Sequence, residues 1–424
     1  MNMQSSSAIA LISVHSDPAN ETDNQNVYVR QVGEALSRLG WQVDMFTRQT
    51  SPSQADIVYH NERCRTIRLN AGSQEFIPRE KLIGYLPQFL SQLRRFQLDR
   101  GIKYRLIHTN YWLSAWVGME LKKLQPVKHV HTYHTLGAVK YRGNSEISDR
   151  EKIRLTIEQK CLETADLTIA TCPEQRDYLR ELVSDKGAVE IVPWGTDPDL
   201  FGSISRVAAK KKLQIAPNIF NVLYVGEFDL AQGLETLIKA IANPHLHAAA
   251  DLRLTLVNNS HYGSPWKQNA VEKFVTDLGL DSVTTFVKTP NSQELATHYA
   301  AADVCVVPSH YDPSGMVAIE AMASGTPAIA SNIGGLKYVV EQQQTGFLFP
   351  SQNTTVLSKL IYKAIVENEW RCQSGIAARE RVENLFTWDI VASQLDEFYT
   401  ELFKAQNLDS LNKSWRYSMQ SIKA

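Results

Sequence analysis

Apolar runs of strand length alternate along the chain with segments of helical period, the pattern of βα units that build parallel sheets. Ile9–Val14 predicts a first strand. Val29, Val32, Leu36 and Leu39 fall on one face of a helix expected over Val27–Leu39, which Gly40 stops. Further strands are expected at Gln42–Phe46, Leu106–His108, His129–Tyr133, Leu167–Ala170 and Val189–Val192. The pattern then repeats, with strands at Val222–Val225, Leu252–Val257, Thr285–Val287, Val304–Val307 and Pro327–Ala330. Between the two series lies VPWGTDPDLF (Val192–Phe201), whose Pro and Gly mark a hinge. The expectation is an α/β protein of two Rossmann-like domains, residues 1–193 and 194–386, with a cleft at the hinge and ligands at the carboxyl ends of the strands. A helix capped by Thr387 runs from Trp388 to Phe403 within residues 387–404, and 405–424 read as a polar tail.

A length of 424 residues is too great for one core and agrees with two domains. Hydrophobic residues make up 43% and charged residues 21%, as in ordinary globular proteins. The net charge of −1 gives no basic bias towards nucleic acid. Five scattered cysteines, odd in number and without CxxC spacing, argue against a disulfide framework or a zinc site and for a reducing, cytoplasmic setting. The opening MNMQSSSAIALISVHSD has no basic leader region and reads as a polar tail and a strand. No apolar stretch is long enough to span a bilayer.

The densest chemistry lies in Ser309–Gly335, SHYDPSGMVAIEAMASGTPAIASNIGG. Pro313 and Gly315 break the chain before an amphipathic turn of helix, Met316 to Ala323. A helix N-terminus at Gly315, Met316 and Val317 offers free N–H groups and a positive dipole end to an anionic phosphate. Asp312 and Glu320 stand eight positions apart across this junction, suited to gripping sugar hydroxyls. The segment resembles the signature of retaining glycosyltransferases of the two-Rossmann-domain (GT-B) type, where Glu, seven residues and Glu recur, with Asp312 here in place of the first Glu. The hinge and LATHYAAADVCVVPS (Leu295–Ser309) resemble the same family. HSDP near the start and QNVYVRQVGEALSRLGWQVDMFTR resemble its sucrose-phosphate synthase-like branch, which glycosylates phosphorylated acceptors.

The resemblance implies site residues. His134, in TYHTLG, becomes the group that touches the transferred sugar, with Asp312 and Glu320 holding donor hydroxyls and ribose. Gln25, Lys81, Tyr111, Thr135, Lys140 and Arg154 become the acceptor pocket, the right types to converge on a phosphate. Taken singly, Lys81 and Arg154 read as residues of solvated helix faces. His129, His131 and His134 also invite a metal reading. His129 and His131 alternate on a strand and share one side, but no third acidic ligand accompanies them, so these two are expected to be structural and no metal or cofactor is expected. The implied donor is a nucleotide diphosphate sugar, UDP-glucose foremost, and the implied acceptor a sugar phosphate such as fructose 6-phosphate or an inositol phosphate.

The donor side departs from the family. Asp23 and Asn24 stand where Gly-Gly lets backbone approach the pyrophosphate. In VGEFDLAQG, Glu227 and Gln232 replace the Arg and Lys that stabilise the leaving diphosphate, and Val257, Asn258 and Asn259 replace a VGG turn. The first exchange takes the local charge from +2 to −1. A unit charge at about 4 Å is worth roughly 4 kcal/mol at an effective dielectric near 20. A loss of about 3 kcal/mol slows chemistry roughly a hundredfold. The alternatives are that nearby cations such as Lys267 or Lys337 compensate, or that the true register differs by one residue. Two readings follow: a hexosyltransferase acting on a phosphorylated acceptor, or a degenerate relative that binds a sugar phosphate or a partner protein. A phosphorylase of the same fold is weaker, since no pyridoxal-phosphate lysine motif is recognisable.

Overall fold

A computed structural model describes residues 8–20, 24–142, 146–258, 265–288 and 290–404; Asp23, Asn259 and the 405–424 tail lie outside them. The chain divides into two compact units. The first holds residues up to Thr171, then Gln175–Val192, and takes up the chain again from Val391. The second holds Cys172–Glu174 and Pro193–Ile390.

The first unit carries strands β1 (Ala8–Ile12), β2 (Gln42–Arg48), β3 (Ile57–Asn61), β4 (Cys64–Leu69), β5 (Leu106–Asn110), β6 (Lys128–Thr132), β7 (Leu167–Ala170) and β8 (Val189–Ile191). Their order in the sheet is β3-β4-β2-β1-β5-β6-β7-β8, all neighbours parallel except the β3/β4 edge pair. The second unit carries β9 (Phe220–Gly226), β10 (Leu252–Asn258), β11 (Thr284–Lys288), β12 (Val304–Val307), β13 (Ala328–Ser331) and β14 (Gly346–Phe349) in a parallel sheet ordered β11-β10-β9-β12-β13-β14. In each sheet the winding starts at one strand, runs outward on one side, then returns and runs outward on the other. The reversal falls between β1 and β5 and between β9 and β12. At such a point neighbouring loops leave the carboxyl ends in opposite directions and open a crevice.

The apolar pattern accounts for the cores. Ala10, Ile12, Phe46, Ile107 and the helix face of Leu113, Val117 and Leu121 are buried in one cluster. Val222, Leu254, Val304, Ile329 and Leu237 do the same in the second unit. Such strands, buried on both faces, read as continuous apolar runs, which made them visible in sequence.

Three expectations need correction. The edge strand β3, its neighbour β4 and the terminal β14 escape the pattern: IVYHN ends in His60 and Asn61, CRTIRL carries Arg65, Thr66 and Arg68, and GFLF is only four residues long. Helix α1 (Asn24–Arg38) ends before Leu39, which is 42% exposed, because Gly40 turns the chain at φ +103°. Helix α2 (Met316–Ala323) is not amphipathic: all its residues but Val317 are buried.

The last helix, α3 (Trp388–Lys404), is capped by Thr387, whose Oγ1 accepts from the Ile390 N–H at 3.2 Å. From Val391 it belongs to the first unit. There Trp41 Nε1 donates to Asp396 Oδ1 at 2.7 Å, and the Tyr399 hydroxyl bonds His108 Nδ1, whose Nε2 bonds Thr132 Oγ1 at 2.8 Å. Tyr399 and His108 are both buried. Tyr399→Phe keeps the ring and strands His108 Nδ1 without its partner, at a cost of about 1–3 kcal/mol. In a unit of this size that is a fall of roughly 2–10 °C in unfolding midpoint. Calorimetry of both proteins checks it, and an unchanged midpoint contradicts it.

Candidate functional site

The carboxyl ends of β1, β5 and β6 adjoin one another, and a ring side chain follows each strand. His15 lies three residues beyond β1, Tyr111 directly after β5, and His134 two residues beyond β6. Tyr111 and His134 both adopt left-handed backbone, φ +72° and +61°. Bulky residues reach that region only at a cost of order 1–3 kcal/mol, and such strain concentrates at functional positions. The His15 and Tyr111 rings lie 4.6 Å apart. His134 is buried, packs edge-on against Tyr28 at 4.8 Å and donates from Nε2 to Asn110 Oδ1 at 2.9 Å. Burial lowers its pKa to about 3, so the imidazole is neutral at physiological pH.

Arg154 joins this group. Its guanidinium is buried, lies 5.1 Å from the Tyr111 ring centre and 5.7 Å from that of Tyr141, and donates to Thr135 O (3.0 Å), Thr135 Oγ1 (3.2 Å) and Tyr111 Oη (3.4 Å). Nε donates to Glu158 Oε1 at 2.7 Å. Burial raises the Glu158 carboxyl, while Arg154 and the Gly137 N–H oppose the rise. Arg154 is therefore not on a solvated helix face; it ties Tyr111 and Thr135 together from below. Gln25 Nε2 donates to Ser13 Oγ at 3.0 Å, at the end of β1. Lys81 and Lys140 are exposed and make no contact with Arg154 among the described residues, and Asn24 is exposed at the start of α1. His15, Asn110, Glu158 and Arg79, whose charge acts on His15, escaped the sequence reading. The signal was faint: His15 sits in the HSDP segment and Arg79 two residues before Lys81.

The second half-site surrounds the reversal between β9 and β12. Glu227 and Asp229 follow β9, and Lys267 Nζ donates to both, at 3.0 Å and 2.8 Å. Lys267 is thus not an open cation. Two carboxylates and one ammonium leave a local charge of −1. Gln232 is exposed, with Nε2 3.4 Å from Asp229 Oδ2. The turn that follows needs Gly233, at φ +110°, because a Cβ there would lie 1.9 Å from the Pro308 carbonyl oxygen.

At α2 the expected open N-terminus is partly occupied. Asp312 Oδ1 accepts from the N–H of Ser314 (3.1 Å) and of Gly315 (2.8 Å) and from Ser314 Oγ (3.1 Å), and the Met316 N–H reaches Ser314 Oγ at 3.4 Å. The short Asp side chain folds back on its own loop, so those N–H groups are not available to a phosphate unless it moves. Gly334 holds the loop from the other side: a Cβ there would lie 2.2 Å from the Asp312 carbonyl oxygen. Glu320 is buried and accepts from the Tyr299 hydroxyl at 2.8 Å. Burial raises its pKa to about 7, and the Tyr299 bond opposes the rise.

A raised carboxyl pKa costs folded-state stability once the unfolded group ionises. The penalty is absent below the ordinary value of 4.5, grows as pH rises towards 7 and is complete above it. Glu320→Gln removes it while keeping an acceptor for Tyr299. The variant gains several degrees in unfolding midpoint on the natural protein at pH 8 and little at pH 5, as scanning calorimetry at the two pH values will record. A difference independent of pH contradicts this assignment.

Both units match known families. Residues 25–195 match the glycosyl transferase 4-like domain and residues 205–381 the glycosyl transferases group 1 family. A D-inositol 3-phosphate glycosyltransferase of Corynebacterium aurimucosum is 33% identical over 405 residues, 93% of this chain and 96% of the relative. One from Corynebacterium glutamicum is 32% identical over 95% of this chain and 98% of its own. Among solved structures, a sucrose-phosphate synthase from Thermosynechococcus elongatus aligns with a TM-score of 0.85 at 43% identity, covering 94% of this chain and 100% of that one. Family matches in both units, relatives above 30% identity over nearly the whole length and a structural alignment at 43% identity have one reading: the chain belongs to the group 1 glycosyltransferases of the GT-B fold and is a transferase.

Proposed function

We propose that this enzyme moves a hexosyl group, with retention of configuration, from a nucleotide diphosphate sugar to a sugar phosphate, with UDP-glucose as donor and fructose 6-phosphate as acceptor. The observation that carries the acceptor class is the buried Arg154 group with its strained neighbours Tyr111 and His134. It is a rigid frame at the β1/β5 reversal that carries a guanidinium, balanced by Glu158, and hydroxyl groups. The names of the relatives support the same class, since the 43%-identical structure is a sucrose-phosphate synthase and the inositol relatives are named for a phosphorylated polyol.

In this reading the bond from the anomeric carbon to the diphosphate oxygen breaks as an acceptor hydroxyl approaches on the same face. The hydroxyl proton passes to the departing diphosphate oxygen, and no covalent enzyme intermediate forms. His134, neutral and fixed by Asn110, touches the transferred sugar without adding charge. Glu320 accepts from ribose hydroxyls. The second oxygen of Asp312 serves the donor sugar, its first being spent on the loop. Met316 and Val317 face the phosphates with backbone N–H groups. Lys81, Lys140 and Arg79 add positive charge around Tyr111, Thr135 and Arg154 for the acceptor phosphate. No helix among the described residues is long and apolar enough to cross a membrane, and none of the five cysteines forms a disulfide.

The degenerate reading keeps one observation in its favour. Lys267, the cation nearest β9, is already shared by two carboxylates, so a donor diphosphate meets net negative charge there. Turnover with UDP-glucose or ADP-glucose is accordingly expected to be slow.

The direct test incubates the full chain with UDP-glucose and either fructose 6-phosphate, fructose or an inositol phosphate, and follows UDP release and the anomeric signal of the product by NMR. A phosphorylated acceptor is preferred at least tenfold over fructose, about 1.4 kcal/mol, and the α-linkage of the donor is kept. Thermal shifts read the same preference without turnover. Equal shifts for fructose and fructose 6-phosphate overturn the acceptor assignment. Binding of the phosphate without turnover favours the degenerate reading.

A further inference from the structure

His129 and His131 sit on β6 facing one side of the sheet, and both rings bond the Thr109 hydroxyl, His129 Nε2 at 2.7 Å and His131 Nδ1 at 2.8 Å. The helix Asp149–Thr164 brings Cys161 against them. One ring nitrogen of each histidine and the Cys161 sulfur lie within 4.8 Å of one another, and all three residues are fully buried. His129 Nδ1 and His131 Nε2 have no hydrogen-bond partner among the described residues. A buried polar atom left without a partner costs about 1–3 kcal/mol, so each of the two rings keeps a nitrogen open to a ligand.

We infer that His129, His131 and Cys161 form a buried binding site for one zinc ion, which fastens the helix Asp149–Thr164 to β6. Imidazole nitrogen and thiolate sulfur are ligand types that Zn²⁺ takes, and they exclude the oxygen-seeking Mg²⁺ and Ca²⁺. Ligand atoms around a tetrahedral zinc stand about 3.3–3.8 Å apart given bonds of about 2.0–2.3 Å, so a spacing within 4.8 Å closes by up to about 1.5 Å. Thr109 orients the rings as an outer partner of the ligands. Binding breaks the Cys161 S–H bond, forms a Zn–S bond and releases one proton to solvent. The third ligand is a cysteine thirty positions downstream of His131, not an acid close by. The site also has consequences beyond itself. The same helix carries Arg154 and Glu158, and His134 follows His131 by three residues. The ion therefore joins the two elements that position the Arg154 group.

The test uses the full chain without a histidine tag. Zinc is counted by mass spectrometry in the protein as purified and after refolding with one equivalent of Zn²⁺, and refolding with Co²⁺ reports a thiolate ligand through its sulfur-to-metal absorption band. The site predicts about one ion per chain, a thiolate band, and a loss of both to under a tenth in Cys161→Ser. If Cys161→Ser fails to fold, the band is followed in Cys64→Ser, Cys172→Ser, Cys305→Ser and Cys372→Ser. Persistence in all four assigns the sulfur to Cys161, and disappearance in any one overturns the assignment. Less than a tenth of an equivalent in the natural protein, with no band after refolding with Co²⁺, overturns the site altogether.

Discussion

All but one pair of neighbouring strands in this molecule run parallel, and that constraint decides where its chemistry sits. Parallel strands send every carboxyl end to the same edge, and the crossovers cover both faces with helices. Backbone and side chains stay open to a ligand mainly where the winding reverses. The first unit reverses between β1 and β5, and there His15, Tyr111 and His134 follow adjacent strands. The second reverses between β9 and β12, where Glu227 and Asp229 follow the first of these strands and Asp312 and Glu320 the other. Loops so short must turn sharply, which explains the positive φ at Tyr111 and His134 and the glycines at 233, 315 and 334. The strain is local, and the packed sheets beneath it hold it in place.

The two half-sites manage charge differently. Around Arg154 the charged pair is buried, its donors are assigned and the nearest histidine is neutral, so the frame holds a fixed shape before any ligand arrives. Around Lys267 the ion pairs are partly open to solvent, with side chains 18–36% exposed, and the cation is divided between two acids. Such a cluster rearranges cheaply and is screened by salt. The Arg154 frame is thus preorganised, while the end of β9 carries net negative charge.

Much of this was legible in the sequence because buried parallel strands announce themselves as apolar runs. β7 and β12 begin and end where that pattern says. Helix α2 was found but taken as amphipathic, whereas its one charged residue, Glu320, is buried with its apolar neighbours. Hydrogen bonding was the opaque level. That Asp312 turns back onto Ser314 and Gly315, that Lys267 serves Glu227 and Asp229, and that Arg154 is buried with Glu158 all depend on side-chain direction, which residue type and spacing do not fix. Cys161 was opaque for another reason: helix packing, not proximity in the chain, brings it to His129 and His131.

The account turns on the charge at the end of β9, and UDP affinity reports it most directly. Calorimetric titration compares the natural chain with the double variant Glu227→Arg, Gln232→Lys, at low and at high salt. The account predicts weak binding by the natural chain, binding at least tenfold tighter in the variant, equivalent to about 1.4 kcal/mol, and a gap that narrows as salt rises. Micromolar UDP binding by the natural chain that the two substitutions leave unchanged contradicts it.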